Sequence, residues 1–316
     1  MRKFILLTFL FLFIPLFVIC FLAHFDNADK DFNSNSNIIS LQKKASFDSL
    51  DILFVGNSYC YSGIQPSLFD SLGISTFNLG IATAGPVFYE LIIRDYLNSV
   101  QRKPKFIFLL LSPMTFSGKA DNFLAYPIHR YLNASFSNLE IAFKYNRMSD
   151  LPVLYRKSLK KGITNLLKKG PPIDYTDFYR FKGFLPDSQT VTKEIIEKDE
   201  HEYTSFAKDK FQDEKTNSLL GIINELELKG IQVVLFELPT HLLESYFNQD
   251  YLKEYESAIK NLGKQNTVLK IDRSSFTSDD FRNIDHLNSR GSELATLMLL
   301  DEIQKHPDWM RMIRKK

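Results

Sequence analysis

Ser58 and His286 are the two side chains whose types and surroundings combine into a reaction centre. Ser58 closes the run Leu53-Phe54-Val55-Gly56-Asn57-Ser58, an apolar segment that stops at Gly-Asn-Ser. Such a run reads as a buried strand ending in a tight turn that presents a hydroxyl. His286 stands in the polar stretch Asp285-His286-Leu287-Asn288, just ahead of a helical pattern. A neutral hydroxyl attacks a carbonyl poorly until an adjacent base takes its proton. A serine at a strand's carboxyl end and a histidine on a neighbouring loop supply those two parts, and the chemistry they serve is nucleophilic acyl transfer.

The elements that must hold them apart in sequence and together in space are legible as patterns. Five strand candidates occur at residues 51–55, 76–79, 105–111, 231–238 and 267–271, the strongest of them continuous apolar runs. Continuous runs indicate strands covered on both faces, as in a parallel sheet flanked by helices. Helical patterns at 89–100, 215–229 and 252–262 fall between them. This βαβ order predicts an α/β fold with right-handed crossovers and a site at the carboxyl ends of the strands. Ser58, Gly80, Ser112 and Pro239 sit at such ends.

Residues 4–23 follow Met1-Arg2-Lys3 and are uncharged and almost wholly apolar. At about 1.5 Å per residue this stretch can cross a hydrocarbon core of roughly 30 Å. It is read as an uncleaved anchor in preference to a signal peptide, because it exceeds the usual apolar core of one and no small-residue cleavage site follows. Arg2 and Lys3 before the span, and Asp26, Asp29 and Asp31 after it, place the N-terminus in the cytoplasm and the rest of the chain outside it. The expected organisation is an anchor at 1–25, a polar linker at 26–50, a core at 51–116 and 216–316, and an insert at 117–215. The two cysteines, Cys20 and Cys60, are not expected to pair, which suits a bacterial envelope protein better than a disulfide-stapled one. A net charge of +2 argues against nucleic acid as a partner.

Gly56-Asn57-Ser58, Asn78-Leu79-Gly80 with Gly85 beyond it, and Asp285-His286-Leu287-Asn288 with Gly291 together resemble the SGNH (GDSL-like) hydrolase superfamily, over residues 51–116 and 216–304. The resemblance implies a three-layer, flavodoxin-like fold around a five-stranded parallel sheet. It makes Ser58 the nucleophile and His286 the base, with the backbone N–H groups of Ser58 and Gly80 in an oxyanion hole. Asn57, Asn78 and His241 are expected on the substrate rim. With the anchor, the chain looks like the membrane-tethered SGNH proteins that work beside multi-span membrane O-acyltransferases and acylate envelope polysaccharides. The partners so implied are an envelope glycan or other acyl ester and such an acyltransferase. No metal or other cofactor is expected, since His129, His201 and His306 lack ligand spacing.

The chain departs from the family pattern at three places. Asn283 stands where an aspartate usually orients the histidine, with Asp280 and Asp285 as substitutes; because neighbouring side chains on an extended loop point apart, a weakened triad or a Ser-His dyad is expected. Asn57 replaces the usual aspartate of the turn. No Gly-x-Asn-Asp block follows the third strand, which leaves Ser112, Thr115 and Asn122 as candidates for the third oxyanion donor. These departures keep open a catalytically silent domain that binds a glycan or docks onto a membrane acyltransferase. Within the insert, residues 144–182 hold ten Lys and Arg against three Asp, in an amphipathic pattern suited to a solvated helix or an anionic surface. Tyr175, Phe178, Tyr179, Phe181 and Phe184 cluster beside it, the acidic stretch 194–202 is expected to be exposed, and the closing 309–316 pairs apolar with basic residues.

Overall fold

The computed structural model describes residues 49–121, 143–145 and 180–315. The anchor at 4–23, nearly all of the linker, Asn122, most of the basic stretch, and Tyr175, Phe178 and Tyr179 lie outside the described residues. Among the described residues no helix is long and apolar enough to cross a membrane. Internal contacts divide the chain into residues 40–121 with 175–316, and residues 1–39 with 122–174. The first of these units carries everything that follows.

Its centre is a five-stranded, all-parallel sheet built from β1 (Ile52–Val55), β2 (Thr76–Asn78), β3 (Phe106–Leu111), β4 (Gln232–Glu237) and β5 (Thr267–Lys270), in the order β2-β1-β3-β4-β5. Every residue of β1, β2 and β3 is buried, so the sheet is covered on both faces, as the unbroken apolar runs require. On one face Phe54 packs against Phe69, Phe108 and Phe236 at ring separations of 5.3 to 6.0 Å. Tilted and edge-on rings at such spacings each add roughly 0.5–1.5 kcal/mol beyond their burial.

The helices are α1 (Ser58–Gly63), α2 (Pro86–Ser99), α3 (Lys193–Tyr203), α4 (Asp213–Leu228), α5 (Gln249–Leu262), α6 (Ser289–Gln304) and α7 (Pro307–Arg314). Helix α2 packs on α4, and α6 packs on α1 and α7. In α7 Met310 and Ile313 are buried, and the Trp309 ring lies 5.6 Å from that of Phe106 and 6.2 Å from that of Phe108. Lys105 Nζ ties this helix to the sheet, bonding Asp51 Oδ1 at 2.9 Å and the Ile313 carbonyl at 2.5 Å.

The strand order reverses at β1. Its carboxyl end and that of β3 therefore flank the crevice in which ligands of open α/β sheets bind. The return segment of the insert closes one side. The Asn78 N–H donates to the Lys182 carbonyl at 3.0 Å, and Gly183, at φ +84°, passes so close that a Cβ there would stand 1.9 Å from the Asn78 carbonyl oxygen. Only glycine combines that left-handed backbone with that approach.

Asp121 holds α2 in place. Its carboxylate accepts the N–H groups of Gly85 at 2.8 Å, Phe88 at 3.0 Å and Val87 at 3.3 Å, capping a helix whose own residue at that end, Gly85, has no side chain to do so. Lys215 Nζ, itself bonded to the Ser117 and Ala120 carbonyls, lies 3.7 Å from the same carboxylate. Both residues are buried, so Asp121→Ala removes a cap and strands a cation. The variant is expected to lose about 3–5 kcal/mol of stability, read as a lower urea midpoint at unchanged slope.

Candidate active site

Three local devices place the serine. Gly56 lets the chain leave β1 against α1 and β3: a Cβ there would come within 2.6 Å of both Cys60 Cβ and Leu110 Cβ. Asn57 caps α1, its Oδ1 accepting the Tyr59 N–H at 3.1 Å, while its Nδ2 donates to Ser112 Oγ at 3.1 Å. The second bond joins the ends of β1 and β3 across the crevice. Ser58 is thus the first residue of α1, half-buried, and its N–H has no partner among the described residues.

The histidine loop is held as firmly. Phe281 and Leu287 form an antiparallel bridge, and the Arg282 N–H donates to the His286 carbonyl at 3.0 Å. Asn288 caps α6, accepting the Arg290 and Gly291 N–H groups at 3.1 and 3.0 Å and donating to the Asp279 carbonyl at 2.7 Å. A Cβ on Gly291 would lie 2.0 Å from the Asp280 carbonyl oxygen, which explains the glycine of that block. Gln65, just after α1, bonds Thr296 Oγ1 at 3.0 Å, the Ser289 carbonyl at 2.8 Å and Ser292 Oγ at 2.7 Å, fixing α6 beside the serine's helix.

Within this loop the imidazole has two partners. Asn283 Oδ1 accepts the His286 backbone N–H at 2.9 Å and lies 3.2 Å from Nδ1. The Asp285 carboxylate makes a closer contact with the same Nδ1. The sequence-based expectation was a weakened triad or a Ser-His dyad, on the premise that Asp285 and His286 point apart; that premise does not hold. Asn283 turns the chain back on itself, so residues 285 and 286 do not lie on an extended strand and their side chains meet. His286 Nε2, the other ring nitrogen, is buried and bonds to nothing, Ser58 Oγ included. The ring packs edge-on to Tyr59, the residue after the serine, at 5.1 Å.

Asp285 is buried. Burial pushes its carboxyl up, but the His286 charge and hydrogen bonds from His286, Tyr203 and Tyr59 outweigh this and hold it below the usual carboxylate value. Tyr59 responds in the opposite sense: burial first, then the Asp285 charge, raise its phenol far above the ordinary range, so it stays a neutral donor. Tyr203 closes α3, and Asp199 on the same helix faces the Asn283 side chain. The acidic stretch 194–202, expected to be exposed, therefore turns Asp199 towards the histidine loop, and Tyr203, just beyond it, faces Asp285. Nothing in the local pattern separated them from their solvated neighbours.

Other expected site residues are brought near but occupied. The Gly80 N–H already donates to Asn78 Oδ1 at 2.9 Å, and the Ser112 N–H to Thr115 Oγ1 at 3.2 Å, so neither is an uncommitted oxyanion donor; Ser58 is. Asn78 is wholly buried, its Nδ2 bonding the Cys60 and Ile64 carbonyls at 2.7 and 3.0 Å, so it braces α1 and does not face substrate. Asn57 is likewise buried and braces the turn. Thr115 is buried in the same network. Asp280 is committed to Thr277 N–H at 2.8 Å and Arg290 Nε at 3.1 Å, which removes it as the histidine's acid. His241 Nε2 pairs with Ser278 Oγ at 3.1 Å and its ring packs on Phe281; burial, then the Arg273 charge, lower its pKa. Among the described residues no cluster of His, Cys, Asp and Glu converges as a metal site.

No protein-family model matches the chain, and no curated protein matches it in sequence. Solved structures do. Among its structural neighbours are a GDSL-like lipase and an acylhydrolase. One, from Bacteroides fragilis and provisionally assigned as an acylhydrolase, is 11% identical over 88% of this chain and 99% of its own, with a TM-score of 0.43. Another, a GDSL-like lipase from Bacteroides thetaiotaomicron, is 10% identical over 86% of this chain and 98% of its own, with a TM-score of 0.41.

The lowered Asp285 carboxyl has a consequence for stability. Its contribution is complete above the unfolded value of about 3.9 and is lost as pH falls through the lower folded value. Asp285→Asn is expected to be about 1–3 kcal/mol less stable than wild type at pH 7, with the gap narrowing towards pH 3. Urea unfolding at both pH values measures it.

Proposed function

We propose that this chain is a membrane-tethered, extracytoplasmic serine enzyme acting on acyl esters, whose role is transfer of an O-acyl group to or from a cell-envelope glycan. The observation that carries the serine chemistry is the state of His286: Nδ1 is held by Asp285 and Asn283 while buried Nε2 is left without a partner, next to the residue that follows Ser58. An imidazole fixed through one nitrogen presents the other as a base. The SGNH-like motifs support the same assignment, and the apolar stretch at 4–23 supports the tether.

In this reading Ser58 Oγ attacks the acyl carbonyl as His286 Nε2 takes its proton. Asp285 stabilises the imidazolium that results. The Ser58 N–H donates to the developing oxyanion; each such donor is worth roughly 3–4 kcal/mol of barrier. Collapse breaks the ester C–O bond, His286 returns the proton to the departing alkoxide, and the acyl group remains on Ser58. A sugar hydroxyl or water then gives its proton to His286 and attacks the acyl carbon; the Ser58 Oγ–acyl bond breaks, the new ester or acid leaves, and His286 returns the proton to Ser58 Oγ. A Ser58–His286 hydrogen bond is expected to form when substrate binds, since catalytic bonds are commonly made only in that complex.

A serine-directed fluorophosphonate is expected to label the full-length protein in detergent, read as one added mass. Ser58→Ala should abolish labelling, and His286→Ala should slow it about 10³-fold or more. A folded wild type that resists the probe would replace this reading with glycan binding or docking on a membrane acyltransferase. The tether has its own test. The full chain is expected to stay in the membrane pellet through alkaline carbonate washing, and its carboxyl-terminal domain to be digested when protease is added outside intact spheroplasts.

A further inference from the structure

We infer that the edge of the sheet opposite Ser58, built from the segments that enter the strands and from the end of α7, is a surface for anionic phospholipid headgroups. It stands the domain on its own bilayer with the active site turned outward. This inference rests on the tether proposed above and goes beyond it in naming the face that meets the membrane. A tether alone chooses no face, because residues 24–48 separate the apolar stretch from the core and such a stretch can extend up to roughly 80–90 Å.

Because the sheet is all-parallel, its strands enter at one edge and leave at the other. The entering segments are joined in a row. The Asp51 N–H donates to the Ser75 carbonyl at 2.8 Å, the Lys105 N–H to the Asp51 carbonyl at 3.1 Å, and the Gln232 N–H to the Lys105 carbonyl at 3.0 Å. The end of α7 belongs to the same row, since Lys105 Nζ bonds both Asp51 and the Ile313 carbonyl. Ser58 follows the opposite end of β1, and the six residues of β3 measure roughly 20 Å from edge to edge.

Two independent features of this edge fit a bilayer surface. The first is charge. Arg102 and Lys103, just before Lys105, and Arg314 and Lys315, just after Ile313, are exposed, and among the described residues none of the four has a carboxylate within ion-pair reach. The acids nearby are mostly taken: Asp51 pairs with Lys105 at 2.9 Å, Asp308 with Arg311 at 3.3 Å and Glu225 with Lys229 at 2.6 Å, while Glu227 is exposed. Clustered cations add their attractions to an anionic lipid surface. The second feature is apolar. Leu72, ahead of β2, and Leu228, ahead of β4, are 41% and 90% exposed, and in the order β2-β1-β3-β4 they stand on either side of the basic patch. Leucines beside cations can enter the boundary between headgroups and acyl chains. An acidic polymer would engage the cations and not the leucines. The patch also lies where the chain coming from the tether enters β1, which favours the bilayer. With this edge on the headgroups, the Ser58 crevice opens away from the lipid, towards the envelope.

The test uses the full-length protein in liposomes and the chain's one tryptophan, Trp309, which lies within two turns of Arg314 on α7. Quenching of its fluorescence by a lipid with a nitroxide on the headgroup reports whether that helix reaches the headgroup layer. Vesicles of equal parts phosphatidylcholine and phosphatidylglycerol are compared with phosphatidylcholine alone. Wild type is expected to be quenched at least about twofold more in the anionic vesicles, a difference that vanishes in 0.5 M NaCl, where charges are screened beyond about 4 Å. Combining Arg102→Glu, Lys103→Glu, Arg314→Glu and Lys315→Glu should abolish the difference, and Leu72→Ser with Leu228→Ser should reduce quenching about twofold. Equal quenching of wild type in the two vesicles overturns the inference while leaving the tether intact, and salt-sensitive binding of added polyglutamate in that case would make the patch a polymer site. A folded fourfold variant quenched like wild type overturns it too. A wild type that does not float with the vesicles overturns the tether reading, and this inference with it.

Discussion

A buried carboxylate must be compensated, and the way Asp285 is compensated organises this site. Left alone, a desolvated carboxylate takes up a proton. Here it meets the imidazole of His286 and the phenols of Tyr59 and Tyr203, and stays ionised. Those donors come from three places: the histidine loop, the helix that opens with Ser58, and the helix that returns from the insert. One charge thus couples the helix that opens with Ser58, the loop of His286 and the insert. The tyrosines suit this task, since burial keeps them protonated and each offers a single directed O–H.

Around that charge stands a shell of asparagines, each used for the two-sided hydrogen bonding of an amide. Asn57 caps the serine's helix and ties β1 to β3. Asn78 braces that helix from β2 and takes up the Gly80 N–H. Asn288 opens α6 and holds the loop before it, and Asn283 turns the histidine loop. Carboxylates in these buried turns would accept but not donate, and would add charge where Asp285 already stands. Asparagines at 57 and 283 keep further charge out of the turns around Asp285.

Bracing at this density limits how far Ser58 and His286 can move relative to each other. The serine's helix is fixed by its cap, by Asn78 and by Gln65, and the loop by its bridge, by Asn288 and by the return segment at 187–191. Preorganisation of this kind is what lets a static environment stabilise a developing charge without reorganising during the reaction. The Ser58 N–H is left uncommitted, while the N–H groups of Gly80 and Ser112 are used to build the shell.

The amino-acid sequence by itself determined the five strands and their parallel arrangement, because strands buried on both faces must be continuously apolar and the runs at 51–55, 105–111 and 231–238 are. It also singled out Ser58 and His286, since a strand-ending Gly-Asn-Ser and a polar histidine loop before a helix are local patterns. Tertiary structure alone decided which groups serve the histidine. Asp285 was a candidate substitute that the assumption of an extended loop disfavoured, and the turn made by Asn283 brings it to Nδ1. Tyr203 stands just past an acidic stretch that reads as solvated, far upstream of His286. Electrostatic partners are chosen by distance through space, which no periodicity along the chain encodes, whereas burial of a strand is repeated residue by residue and is therefore written in the sequence.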